Sequence, residues 1–114
     1  MSIPQNNYSK LDLYQGTDFI RAIRVAEIDG APESLVGYTL AAQMRKNYES
    51  KKFWKFDILK NETDFILFMD KDDTRDIRPG YYQYDVMMEH ATNVRSILFQ
   101  GQINVLDRKS TRLN

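Results

Sequence analysis

The chain has 114 residues, which is enough for one folded domain and too few for two independent cores. Sixteen basic and sixteen acidic residues cancel, so no net charge draws the whole protein towards nucleic acid or an anionic membrane. The chain contains no cysteine, which excludes disulfides, thiolate nucleophiles and cysteine-based zinc sites and leaves packing to stabilise the fold.

The polar residues 1–9 are predicted to form an N-terminal extension of a single β-sandwich domain that spans residues 10–107. They lack the basic and apolar regions of a secretory signal, so we expect the protein to be used without secretion. The predicted sheet begins at Leu11 and Leu13. Residues 18–27, rich in Phe, Ile and Val, form the next predicted strand, which an Asp-Gly turn pair ends.

Apolar and polar residues alternate through the middle of the chain, and this period of two predicts β-strands. Residues 40–46 have good helix propensity, but alternation also holds over 38–45. Pairing within a sheet commonly overrides propensity, so we predict a strand there. Residues 54–58 alternate as well, and residues 65–69 are apolar on both faces, which is typical of a central strand. Residues 70–77 are predicted to form a single helical turn.

The last part of the domain is predicted to form a β-hairpin from Tyr81 to Gln100, whose second strand continues to Leu106. Together these elements predict an all-β fold, an immunoglobulin-like antiparallel β-sandwich of about seven or eight strands. The inward-facing residues of the strands form the expected core: Leu13, Phe19, Ile23, Leu40, Trp54, Phe56, Phe65, Leu67, Tyr82, Tyr84, Val86, Ile97, Phe99, Ile103 and Val105.

Three residues are expected to have structural roles. In immunoglobulin-like sandwiches, a tyrosine near the start of the penultimate strand bonds its hydroxyl back to the corner backbone. Gly80 and Tyr82 have the Gly-x-Tyr spacing of this corner. Trp54 is expected at the centre of the core. Its segment, residues 48–56, interleaves aromatic residues with lysine as a nucleic-acid or sugar platform does, but alternation turns Trp54 inward and favours packing.

No catalytic, cofactor or metal site is predicted, so we expect no enzyme activity. His90 is the only histidine, and it lies in a predicted turn without a nucleophile motif. The acidic segment 70–76 does not fit an EF-hand, because Arg75 and Tyr81 occupy the positions that need glycine and glutamate. A hydrolase that pairs carboxylates from distant strands stays open as an alternative.

Charge is unevenly distributed along the chain. Residues 62–76 carry six acidic and two basic residues, whereas the predicted basic C-terminal tail, residues 108–114, carries three basic residues and no acid. Opposite charges on neighbouring copies can set register and speed encounter. An untethered terminus is an equally open interpretation of the tail. The candidate assembly contacts are Asp70, Asp72, Asp73, Arg108, Lys109 and Arg112.

Five segments together resemble a known class of protein: YQGTDF at 14–19, the IDG turn at 28–30, GYTLAAQMR at 37–45, TRDIRPGYYQYD at 74–85 and ILFQGQINV at 97–105. In this order they are similar to small β-sandwich proteins from the virion-structure regions of tailed bacteriophages and prophages. Those proteins form necks, baseplates or tails, fibre attachments or capsid decorations. The resemblance implies a structural virion component, assembled in the bacterial host cytoplasm. Its implied partners are other virion proteins and copies of itself, without nucleic acid, a membrane or a small-molecule substrate.

The alternative function is a carbohydrate-binding or adhesion module with an immunoglobulin-like fold. Such a module stacks an exposed tyrosine or tryptophan on a sugar ring. An assembly module depends instead on sheet edges and loops, where unpaired backbone groups can pair with a neighbouring chain. A glycan array and the mass of the protein in solution distinguish the two hypotheses.

Overall fold

The computed structural model describes residues 10–47, 49–92 and 94–107. The predicted N-terminal extension and basic tail lie outside the described residues. The prediction of an all-β fold is confirmed, because strands account for most of the described chain and the helical elements are short. The elements are β1 Lys10–Tyr14, β2 Phe19–Arg24, a 3-10 turn Val25–Glu27, β3 Tyr38–Arg45, β4 Trp54–Lys60, β5 Asp64–Met69, α1 Lys71–Thr74, β6 Gly80–His90 and β7 Arg95–Leu106.

The seven strands form one sheet in the order β1-β7-β6-β3-β4-β5-β2. Every neighbouring pair is antiparallel except β1 and β7, which run parallel with Lys10 opposite Gln102. The expectation of a purely antiparallel arrangement is therefore wrong. Although β1 and β2 are consecutive, they do not pair with each other. The turn at residues 15–18 carries the chain to the far edge of the sheet and leaves β1 beside β7 with the same direction.

Strand β4 divides the sheet into two groups. Its first residues, 54–56, pair with β3, and its last residues, 57–60, pair with β5. The strand thus joins a larger group (β1, β7, β6 and β3) to a smaller one (β5 and β2). The sheet coils until it is nearly closed, and the edge strands β1 and β2 line a common groove.

A series of aromatic contacts in the core links the smaller group of strands to the larger one. Phe19 contacts Phe56 at 5.6 Å between ring centroids, and Phe56 contacts Tyr84 at 6.5 Å. Tyr84 then meets the edge of Phe99 at 5.7 Å, and Phe99 contacts Phe65 at 6.3 Å. Each such pair contributes about 0.5–1.5 kcal/mol beyond the area it buries. The rings therefore join five strands into one core.

A β-bulge in the β6–β7 hairpin corrects one expected core residue. The register runs from Val86 opposite Phe99 to Met87 opposite Ile97, so Leu98 is the extra residue. An extra residue reverses the alternation beyond it. Leu98 is consequently buried, at 6% exposure, and Ile97, expected in the core, is 51% exposed.

Candidate interaction sites

The tyrosine at the start of β6 makes the hydrogen bond that its spacing predicts. The Tyr82 hydroxyl donates to the Arg78 carbonyl oxygen at 2.8 Å, across the corner that leads from α1 into β6. Burial raises the pKa of Tyr82, and the positive charge of Arg78 partly offsets that effect. Gly80 has a φ of 142°, a backbone conformation that side chains with a Cβ rarely adopt. The glycine therefore permits the chain path that brings Tyr82 back to the corner.

Trp54 lies at the margin of the core, not at its centre as expected. It is the first residue of β4 and sits opposite Met44 near the end of β3, where the following loop covers it only in part. Its ring meets Tyr82 edge-on at 5.7 Å. These two rings border a pocket of about 430 Å³, called here the aromatic pocket, whose lining is Lys46, Ser50, Lys52, Trp54, Arg78, Pro79 and Tyr82.

The aromatic pocket is positively charged. The Lys46 ammonium lies 4.9 Å from the Tyr82 ring centroid, and the Lys52 ammonium lies 5.0 Å from that of Trp54. Arg78 supplies a third cation, and none of the described residues that line the pocket is acidic. The site was not predicted because its residues come from two chain segments, 46–54 and 78–82, that lie far apart in the sequence. The interleaved lysines of residues 48–56 were its only local signal.

The outward side of β2, β5 and β4 carries a second candidate site, an apolar surface. Ile20 on β2 lies opposite Phe68 on β5. In the next outward row, Ala22 on β2 and Leu59 on β4 lie on either side of Ile66 on β5. Ile20 is 63% exposed and Leu59 is 65% exposed. We call these five residues the apolar outer face. The apolar run at residues 65–69 indicated it, but Ile66 and Phe68 of that run face outward, and no other described element packs over them.

The outward side of β3, β6 and β7 carries polar rows next to one apolar row, which consists of Ala41, Met87 and Ile97. One row places Gln43, Asp85 and Gln100 opposite one another, and the next places Arg45 opposite Gln83. Asp85 Oδ1 and Gln83 Oε1 are buried and have no hydrogen-bond partner among the described residues. Burial raises the pKa of Asp85, and the nearby charge of Arg45 partly lowers it. Buried polar atoms without a described partner thus distinguish this side from the apolar outer face.

The acidic turn that contains three of the predicted assembly contacts has local structural roles. The Asp70 carboxylate accepts a hydrogen bond from the Asp72 N–H and caps α1. Asp72 forms an exposed ion pair with Arg75, and Asp73 is exposed in the first turn of the helix. The other three predicted contacts, Arg108, Lys109 and Arg112, lie outside the described residues, so an association of the two sets stays a prediction.

The described residues contain no cluster of three or more His, Asp or Glu side chains placed to hold a metal ion. His90 packs its ring edge-on against Tyr38, with centroids 5.0 Å apart, and its Nδ1 lies 3.2 Å from the Thr92 hydroxyl. Of the helices found in the described segments, none has the length and apolar character needed to traverse a bilayer.

Comparison with known proteins gives no family assignment: no family model matches the chain, and no curated protein is significantly similar to it. The surfaces and the pocket described above are therefore the basis for inferring what the protein does.

Proposed function

We propose that this protein is a non-catalytic assembly module that associates with copies of itself through the apolar outer face. The observation that carries the proposal is the exposure of Ile20 on β2 and Leu59 on β4, on either side of the partly exposed Phe68 and Ile66 of β5. Contiguous exposed apolar surface on a small soluble domain marks an interaction site. Burying one such side chain contributes about 1.5–3 kcal/mol.

Charged residues border the apolar outer face and suit it to a protein partner. Arg24 and Asp64 lie opposite each other at one end, and Asp57 lies opposite Phe68 at the other. An apolar centre with a polar rim is the usual anatomy of a protein interface. Rim charges fix the orientation of the partner more than they add affinity.

The strand arrangement supports an immunoglobulin-like fold. In that fold the second, fifth and fourth strands share one layer, and the third, sixth and seventh share the other. Here β2, β5 and the second half of β4 are neighbours, as are β3, β6 and β7. The hydrogen bond from Tyr82 to the corner backbone adds to this support. The parallel pairing of β1 with β7 and the division of β4 depart from the simplest version of that fold.

We propose that this module belongs to the virion of a tailed bacteriophage and that other virion proteins are its further partners. Support comes from the resemblance of the strand and turn segments at 14–19, 28–30, 37–45, 74–85 and 97–105 to small virion β-sandwich proteins. A neck, baseplate, tail or capsid-decoration subunit acts by repetition, which matches a module that self-associates. Assembly would take place in the bacterial host cytoplasm.

The test replaces the two most exposed residues of the apolar outer face. We expect Ile20→Ser with Leu59→Ser to weaken self-association by at least about tenfold, measured by sedimentation equilibrium. Both side chains are exposed, so thermal unfolding should change little at concentrations where the wild type is monomeric. The matched control is Ile97→Ser, which removes an exposed isoleucine from another strand. Equal association of the double variant and the wild type would contradict the proposal.

A second candidate function is carbohydrate binding, which one observation favours. Tyr81 is 60% exposed on the polar side of the sheet, directly in line with Asn104 on β7 and Asp12 on β1. These residues line a shallow pocket with Lys10 and Gln102. An exposed ring beside amide and carboxylate groups can stack on a sugar and bond its hydroxyls.

Glycan binding is expected to depend on Tyr81 if this second function is real. Tyr81→Ala should reduce binding on a neutral-glycan array by about tenfold, whereas the apolar-face double variant should bind like the wild type. An array on which the wild type binds no glycan would contradict carbohydrate binding.

A further inference from the structure

We propose that the aromatic pocket binds an acidic peptide segment of a partner protein. This inference extends the proposed assembly role, but it uses a surface separate from the apolar outer face. The pocket lies where β3 ends and β4 and β6 begin, whereas the apolar outer face lies on β2, β5 and the second half of β4. The two proposals can therefore fail independently.

The walls of the pocket suit a side chain with an apolar or planar body. Trp54 is half-buried, so one part of its ring is fixed by the core and the rest is open to a ligand. Tyr82 is held by its hydrogen bond to Arg78, and Pro79 adds another rigid apolar wall. The volume, about 430 Å³, lies within the range of roughly 300–1,000 Å³ that is typical of ligand pockets. The volume matches one or two side chains, which would lie beside the Lys46 and Lys52 ammonium groups over the two rings.

The charges around the pocket select an anion. Lys46 and Lys52 hold their ammonium groups over the two rings, and Arg78 offers a guanidinium that can bind a carboxylate with two parallel hydrogen bonds. No acid among the described lining residues neutralises these three cations. A carboxylate that enters therefore gains charge-assisted hydrogen bonds, while an adjacent apolar group packs against the rings.

The shape and the overall charge favour a peptide over nucleic acid. A nucleic-acid surface follows a phosphate backbone with a stripe of basic residues, usually on a basic domain. This chain has a formal net charge of zero, and its described basic cluster occupies one compact pocket. Carboxylates beside an aromatic or aliphatic side chain match such a pocket better than a long polyanion does.

The experiment uses the fluorescence of Trp54, which is the only tryptophan in the chain. The probe is a blocked pentapeptide with a central phenylalanine flanked by aspartate and glutamate, titrated into the full-length protein. Its control is the same peptide with asparagine and glutamine in place of the acids. We expect the acidic peptide to produce a saturable change in Trp54 emission that weakens with added salt, and the neutral peptide to produce none.

Charge-removing variants connect the signal to the pocket. Lys52→Gln and Arg78→Gln should each weaken binding of the acidic peptide by about tenfold. Arg78→Gln keeps the backbone carbonyl that Tyr82 bonds, so the corner remains intact. The matched control is Lys55→Gln, an exposed lysine on the same strand as Trp54 that does not line the pocket. It should bind like the wild type.

Three results would overturn the proposal: no saturable response to the acidic peptide, equal binding of the neutral peptide, or full affinity in both pocket variants. Binding of inorganic phosphate as tight as that of the peptide, at matched ionic strength, would also overturn it, because the site would then recognise a small anion. The Ile20→Ser, Leu59→Ser double variant should bind the peptide like the wild type. If this variant loses self-association while it still binds the peptide, the result bears on the apolar outer face and not on the aromatic pocket.

Discussion

At the scale of single residues, Asp85 offers the clearest electrostatic prediction. It lies within the polar side of β6, where burial raises its pKa above the ordinary value of 3.8 and the charge of Arg45 partly offsets that effect. A carboxyl whose pKa is raised by folding destabilises the folded state when it is ionised. The penalty is present at neutral pH and disappears as pH falls below the ordinary pKa.

We therefore expect Asp85→Asn to stabilise the protein at neutral pH. The gain should be below about 1 kcal/mol, because the carboxyl is only partly buried and solvent screens its charge. Urea unfolding at a series of pH values checks this prediction. The difference between variant and wild type should shrink as the solution is acidified towards pH 3.8.

The control for Asp85→Asn is Asp12→Asn, which neutralises an exposed carboxylate on β1. It should change stability by no more than about 0.5 kcal/mol at neutral pH. A less stable Asp85→Asn protein, or a stability difference that is independent of pH, would contradict the assignment of a buried, penalised carboxylate.

The corner of β6 was predictable because its signal is local. A glycine, an intervening residue and a tyrosine within one turn are enough to specify a hydroxyl that returns to the backbone. Tyr82 bonds the Arg78 carbonyl, and Gly80 has the positive φ that the turn requires. Trp54 was harder to place, because its burial depends on which residues of other segments, such as Tyr82, pack against the start of β4.

At the scale of secondary-structure elements, the bulge in β7 gives two neighbouring residues very different burial. Leu98 is buried and Ile97 is exposed. Leu98→Ala should therefore lower the free energy of unfolding by about 2 kcal/mol or more, whereas Ile97→Ala should lower it by less than about 1 kcal/mol. Urea denaturation of the two variants measures both changes. The opposite ranking would show that the alternation runs through β7 without a bulge.

Alternation predicted the strands well because it is a short-range property of the chain. It predicted β3 correctly despite the helix propensity of residues 40–46, and α1 lies within the predicted helical turn at 70–77. Pairing is a long-range property, so neither the parallel contact of β1 with β7 nor the division of β4 could be seen in the sequence.

The candidate sites show the same limit. Strand β5 is apolar on both faces, which the sequence analysis interpreted as burial on both sides. A single coiled sheet has one interior, so the outward residues Ile66 and Phe68 remain partly exposed beside Ile20 and Leu59. The aromatic pocket was not predicted because only tertiary structure brings residues 78–82 against residues 46–54.

At the scale of the whole molecule, the proposed contacts predict how association responds to salt. An interface between the acidic turn and a basic tail would weaken as salt screens the charges. The apolar outer face instead predicts association that persists or strengthens at high salt, because burial of apolar surface drives it. The salt dependence of association therefore distinguishes an interface formed by the apolar outer face from one formed by the acidic turn and the basic tail.

The most direct test is the mass of the wild-type protein in solution, measured by light scattering over a range of protein and salt concentrations. We predict a mass above that of the monomer that rises with protein concentration and is not reduced by salt, together with a monomeric Ile20→Ser, Leu59→Ser variant. A wild-type protein that remains monomeric at every concentration would contradict self-association through the apolar outer face.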